Sequence, residues 1–314
     1  MDACNAELNI IQMSDIESEQ VSWLWYPFIP YGKLTIVQGD PGDGKTTLVL
    51  NIAAKLSKGV PMDEGMQCEE PIDIIYQTAE DGLADTVKPR LESAGADCTR
   101  IHVIDESDKS LSMVDERIEQ ALIRTKAKLL ILDPIQAYLG GGMDMNRANE
   151  ARDMTKRLAA LAEKHKCAIL LIGHMNKAAG NKAAYRGMGS IDFYAVARSV
   201  LLVGRIEGEP DLRAVVQIKN NLAAFGHSKA FSLTEDGFDW IGDYEITADV
   251  SVARTAVLES PSQNAIILSG GKHYGQKKKN TTGIKSEKSF KSQILLTVPS
   301  LLRKVFQNLQ HTLT

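Results

Sequence analysis

The stretch that decides the fold is residues 33–46, KLTIVQGDPGDGKT. Its first half, 33–39, reads as a buried strand. Gly39, Asp40, Pro41, Gly42, Asp43, Gly44, Lys45 and Thr46 then fit the pattern G-x-x-x-x-G-K-[ST], which arises by chance in about one chain in a hundred of this length. A helix follows from Lys45 to about Lys58, with Leu48, Val49, Ile52, Ala53 and Leu56 at helical spacing. Glycines at these positions let backbone N–H groups turn inward around phosphates, and the helix N-terminus adds its positive dipole end. Lys45 is therefore expected to reach the β- and γ-phosphates and the Thr46 hydroxyl to bind Mg²⁺. Asp40 and Asp43 would repel phosphate, so their side chains are expected to point outward.

Outward from this loop, strand and helix signals alternate. DIIYQTA (73–79) reads as a second strand with helix-like sequence after it to about Ala96. RIHVID (100–105) is a third, and 113–127 an amphipathic helix. KLLILDP (128–134) is nearly all apolar, as a strand buried on both faces should be. A helix is expected over about 146–166, then a fifth strand at 167–174. Segments 199–207, 212–220 and 228–233 read as a closing meander. The fold class is α/β: a mostly parallel sheet flanked by helices, with an antiparallel edge extension. Residues 21–32, VSWLWYPFIPYG, are an entry segment in which packing outweighs base stacking for Trp23, Trp25 and Tyr26.

Three strand ends carry further chemistry. Asp133 follows four apolar residues, LLIL; a carboxylate there can hold a Mg²⁺-bound water beside a phosphate loop. Glu80, at the end of the second strand and read as lying beside the first, is the candidate general base for the attacking water. Asp81 is its competitor, with helix capping as the other role. His174 ends the fifth strand, where a polar residue can sense the γ-phosphate.

Composition sets bounds. The 314 residues are 44% hydrophobic and 24% charged, ordinary for a globular protein. Cys4, Cys68, Cys98 and Cys167 form no C-x-x-C pair, which argues against a zinc ribbon or disulfide framework. No apolar run approaches the roughly 18 residues of a membrane span, and Asp2 and Glu7 do not suit a secretory leader. No membrane role and a cytoplasmic location are the expectations. The net charge of −4 divides into about +8 for residues 261–314 and −12 for the rest. Residues 1–20 read as a flexible N-terminus, 21–245 as the catalytic domain, and 246–314 as a basic, linker-like tail with a short helix-forming stretch.

The order of phosphate loop, strand-end Glu, strand-end Asp, strand-end His and then a lysine near an antiparallel hairpin resembles the RecA-like P-loop ATPases. Within them it is most similar to the RepA-type replicative helicases and AAA-type ATPases of plasmids and phages. WLWYPFIPYGKLTIVQGDPGDGKTT, YQTAEDG, PRLESAGAD, LLILDPIQAYLG, DMNRANEAR, GHMNK, YRGMGSIDF and ARSVLLVGR carry the likeness. No cysteine-paired zinc module or protease-like domain matches the RadA type, and no helical N-terminal domain matches the DnaB type.

The resemblance implies a RecA-like core that binds ATP through Gly39–Thr47 and hydrolyses it, with Mg²⁺ on Thr46 and Asp133. It implies assembly as a ring, commonly a hexamer, with ATP at subunit boundaries. Lys45, Glu80, His174 and Lys219 match catalytic positions. Lys219, in QIKNNLAAFG, resembles a lysine that reaches the neighbouring subunit's γ-phosphate. The family's following arginine is Asn221 here, leaving Arg205 in reserve. Two loops would face the channel: 139–147 with Arg147, and 175–189 with Lys177, Lys182 and Arg186. Such loops suit single-stranded DNA phosphates without sequence readout. The function so implied is a DNA helicase or single-strand translocase in replication of a mobile element. The alternative is a nucleotide-switched, KaiC-like scaffold.

Overall fold

In chain order the strands are β1 (Trp23–Trp25), β2 (Ile29–Pro30), β3 (Leu34–Gly39), β4 (Ile74–Thr78), β5 (Ile101–His102), β6 (Leu129–Asp133), β7 (Ala168–His174), β8 (Ser199–Ile206), β9 (Glu209–Asn220), β10 (Lys229–Thr234) and β11 (Gly237–Asp243). The helices are α1 (Lys45–Ser57), α2 (Lys88–Ser93), α3 (Glu116–Thr125), α4 (Ala148–His165) and α5 (Ile191–Val196). This computed structural model describes residues 10–63, 70–139, 148–174 and 191–246. The chain divides into two compact units, Met1–Ser262 and Gln263–Thr314, and every described residue belongs to the first.

β1 and β2 form a hairpin, and the other nine strands make one sheet in the order β11-β10-β9-β8-β3-β7-β6-β4-β5. From β5 to β8 neighbours run parallel. From β8 to β11 they alternate in direction. This is the α/β class read from the sequence, with the antiparallel extension on the β8 side.

Side chains of a strand alternate between faces, and here the alternation feeds two cores. Val37, Tyr76, Ile131, Leu170 and Leu201 meet α1 through Leu48, Val49, Ile52 and Leu56. Ile36, Ile75, Leu130, Leu132, Ile169 and Leu171 meet Ile118 and Leu122 of α3 and Met154, Leu158 and Ala162 of α4. Coverage on both faces is why β3 and β6 are buried along their whole length. The same parity puts Asp133, two residues beyond Ile131, on the α1 face.

The entry segment packs as expected. Trp25 is fully buried against Phe28, ring centroids 4.4 Å apart, and its indole N–H donates to Asp63 at 2.8 Å. Tyr26 stays exposed and meets Trp23 edge-on. The expected third strand shortens to two residues because it is the sheet's outer edge, with a partner on one side. The helix-like text to Ala96 splits into a π-turn over Leu83–Val87 and α2. Asp115 caps α3, accepting from the Arg117 N–H at 3.0 Å and from its guanidinium at 2.9 Å. Among the described residues no helix is long and apolar enough to cross a membrane.

Candidate nucleotide-binding site

The site starts where β3 gives way to α1. Five residues, 40–44, make the turn between them, and Gly42 and Gly44 hold left-handed backbone at φ 81° and 85°, angles that suit glycine. Gly39 is fixed by close approach: a Cβ there would run into the carbonyl oxygen of Val203 on β8. The first turn of α1 has no acidic side chain, so its dipole end is left for an anion.

Lys45 is buried. Its ammonium donates to the carbonyls of Gly39 at 3.0 Å and Asp40 at 2.8 Å. Burial pulls its pKa below the usual lysine range, against the opposing charges of Asp43, Asp133, Asp40 and Glu80. One ammonium thus sits in the field of four carboxylates.

Asp133 lies across from it. The Thr46 hydroxyl donates to Asp133 Oδ2 at 2.8 Å, and the Tyr76 hydroxyl donates to the same oxygen at 3.0 Å. Burial raises the Asp133 pKa; these two hydrogen bonds oppose the shift, and the charges of Glu80 and Asp81 add to it. Tyr76 was not singled out from the sequence, where it reads as one more buried strand residue. Its spacing of two from Ile74 on the α1 face was the available signal.

Two expectations need correction. Asp43 does not point outward: it is buried, and its Oδ2 accepts the Asp40 N–H at 3.0 Å. The turn is tight enough that the carboxylate closes on its own loop. Nor does β4 lie beside β3, since β7 and β6 intervene. Glu80 nevertheless comes within electrostatic range of both Lys45 and Asp133, because the strands are parallel and their C-terminal ends share one edge. Asp81 is engaged by Arg90 of α2 at 2.9 Å, and Gly82 takes the helix-capping place.

His174 ends β7 with its backbone in register with Gly39. Lys219 turns onto its own chain: its ammonium donates to the carbonyls of Tyr194 and Ala195 in α5 and lies 4.9 Å from the Tyr194 ring centre. Arg205, held in reserve for a contact between subunits, donates to Gly42 of its own loop at 3.3 Å. Arg147, Lys177, Lys182 and Arg186 lie outside the described residues.

The oxygen pair of Thr46 and Asp133 fits Mg²⁺, a hard cation that takes one or two protein oxygens and completes its shell with phosphate and water. Among the described residues no group of three or more His, Cys, Asp and Glu is placed to hold a metal by itself.

Residues 6–180 match the model of the family described as "AAA domain". The chain belongs to this AAA-domain family. Its core is a RecA-like P-loop ATPase fold, in agreement with the sequence reading. It is 25% identical over 219 residues to the DNA repair protein RadA of Halalkalibacterium halodurans, covering 68% of this chain and 41% of that protein. To RadA of Mycobacterium tuberculosis it is 27% identical over 218 residues, 68% of this chain and 40% of that one. It therefore spans about two-fifths of these relatives' length. RadA-type proteins, set apart above for their additional modules, are thus among its relatives. A KaiC-like protein of Pyrococcus horikoshii aligns over 69% of this chain and 95% of its own at 17% identity, TM-score 0.49.

Proposed function

We propose that this AAA-domain protein binds ATP at Gly39–Thr47, hydrolyses it, and uses the cycle to move along single-stranded DNA as a helicase or translocase. The observation that carries the ATPase reading is the Thr46–Asp133 bond of 2.8 Å beside the buried Lys45. Mg²⁺ on those oxygens would supply charge neutralisation between the β- and γ-phosphates. Lys45, released from the Gly39 and Asp40 carbonyls, would bind the same phosphates. Glu80 would orient and deprotonate the attacking water, with His174 reporting the γ-phosphate to the segment after β7. Lys219 would leave the Tyr194 and Ala195 carbonyls to reach a neighbouring subunit in a hexameric ring.

The DNA reading is supported by the likeness to proteins named for DNA repair. It is also supported by the basic residues Arg147, Lys177, Lys182 and Arg186 in the segments that follow β6 and β7. Replication of a mobile element is the role implied by the RepA-type resemblance. The acidic body favours a second reading, a nucleotide-switched scaffold, since a polyanion is repelled by residues that sum to about −12.

The test is phosphate release with and without single-stranded DNA, beside mass measurements with and without nucleotide. Stimulation by DNA with ring-sized mass supports the motor. Nucleotide-driven assembly with no DNA binding at low salt selects the scaffold.

A further inference from the structure

Asp43 is out of place by charge. It puts a buried carboxylate inside a loop whose task is to receive phosphates, one residue before Gly44-Lys45-Thr46. Its side chain is only 9% exposed. One of its oxygens takes the Asp40 N–H at 3.0 Å, and the other faces the Arg205 guanidinium, with Nε 3.5 Å away. Arg205 also donates to the Gly42 carbonyl at 3.3 Å. It stands on β8 two residues beyond Val203, whose carbonyl backs Gly39. One strand therefore holds the loop at its start and at its middle. Arg213 is paired with Arg205 in register on β9 and adds to the positive field at Asp43 from that side.

We propose that Arg205 is a positioning residue for nucleotide binding within its own subunit, drawing the Asp43 carboxylate toward β8 and onto the Asp40 amide so that its charge stays off the incoming phosphates. This rests on the reading of residues 39–47 as a triphosphate site. It assigns Arg205 to its own loop rather than to a neighbour's γ-phosphate. The chemistry is specific. Without the guanidinium, Asp43 keeps the Asp40 amide as its one hydrogen-bond donor, and a carboxylate able to turn toward Lys45 competes with phosphate for the ammonium and repels the ligand. The cost falls on binding and not on the chemical step, so it enters KM and leaves kcat. Removing the charge at Asp43 removes the need for Arg205.

The experiment is a double-mutant cycle on the full chain. Affinity is read by titration with a fluorescent methylanthraniloyl-ATP, and KM and kcat by phosphate release. Arg205→Ala is expected to weaken binding about 3- to 5-fold, the scale of a partly exposed ion pair, with kcat within about 2-fold. Asp43→Asn in the same chain is expected to restore affinity, and Arg205→Lys to retain part of it. Arg205 is more than half exposed and Asn matches Asp in shape, so both variants fold; melting curves check this. Equal loss in both Asp43 backgrounds overturns the proposal, as does lost kcat with unchanged affinity, the signature of a finger between subunits. Wild-type protein that fails to bind the analogue overturns the nucleotide reading itself, and this proposal with it. Normal wild-type binding with uncoupled variants overturns this proposal alone.

Discussion

Thr46 and Asp133 are joined by a 2.8 Å hydrogen bond although 87 positions separate them and the strands they extend are not neighbours. β7 lies between β3 and β6, so the contact is made by the first turn of α1 leaning across a strand. The bond holds two hard oxygens side by side before any ligand arrives.

Replacing one of those oxygens separates metal chemistry from folding. Asp133→Asn preserves shape and is expected to lower ATP hydrolysis at least 100-fold, while Thr46→Ser, which keeps the hydroxyl, stays within a few-fold. Phosphate release across a Mg²⁺ titration is the measurement. Hydrolysis by Asp133→Asn at the wild-type rate would remove Asp133 from the site.

Lys45 and Glu80 are expected to fail in different ways. Lys45→Ala should abolish measurable binding of an ATP analogue. Glu80→Gln should bind normally and lose about 10²- to 10⁴-fold in hydrolysis, the range for general-base removal. Normal turnover by Glu80→Gln would instead direct attention to Asp81.

Tyr76→Phe deletes a single buried O–H that donates to Asp133. The variant is expected to lose about 1 kcal/mol of stability by denaturant unfolding. It should also need roughly 10- to 100-fold more Mg²⁺ for half-maximal activity, as outer partners of metal ligands commonly do. Unchanged Mg²⁺ dependence would reduce Tyr76 to a packing residue.

Asp115 offers a pH test of the fold. Its bonds from Arg117 hold its pKa down at about 2, below the usual 3.9 of the unfolded chain. A depressed carboxyl stabilises above the unfolded value and loses that contribution as pH falls through the folded one. Asp115→Ala should cost about 1 kcal/mol at pH 7. The difference from wild type should shrink between about pH 4 and pH 2. A gap independent of pH would mean that α3 is not capped by this charge.

Cys167 reports on the second core. It is fully buried, and burial pushes its thiol up to about 12, so almost no thiolate exists at pH 8. Alkylation followed by peptide mapping should label Cys98 in the native protein and Cys167 only after denaturation. Rapid native labelling of Cys167 would contradict the packing of β7 against α4.

What the sequence made legible was local. The phosphate loop, α1 and the Asp133 strand each declare themselves within a dozen residues, through glycine spacing and unbroken apolar runs. What it left illegible depended on neighbours distant in the chain. Tyr76 acquires its role only when β4 pairs with β6 and puts two side chains of equal parity at one end. Asp43 was expected outward by a charge argument that could not include Arg205, 162 positions away. β11 escaped notice because Gly237 and Gly242 read as turn residues, and because Trp240 and Ile241 are adjacent apolar residues at a bulge that breaks the strand's alternation. The α5 carbonyls that receive Lys219 belong to a helix no periodicity announced.

The two margins of the large sheet are unlike, and each discourages lateral growth. At one, β5 is only two residues long, too little for a foreign strand to template on. At the other, β11 ends next to a bulge opposite Ala230 and Phe231 and carries the exposed Asp239. Among the described residues, stacking of backbones edge to edge, the route by which open sheets run into fibres, is thus blunted at both borders.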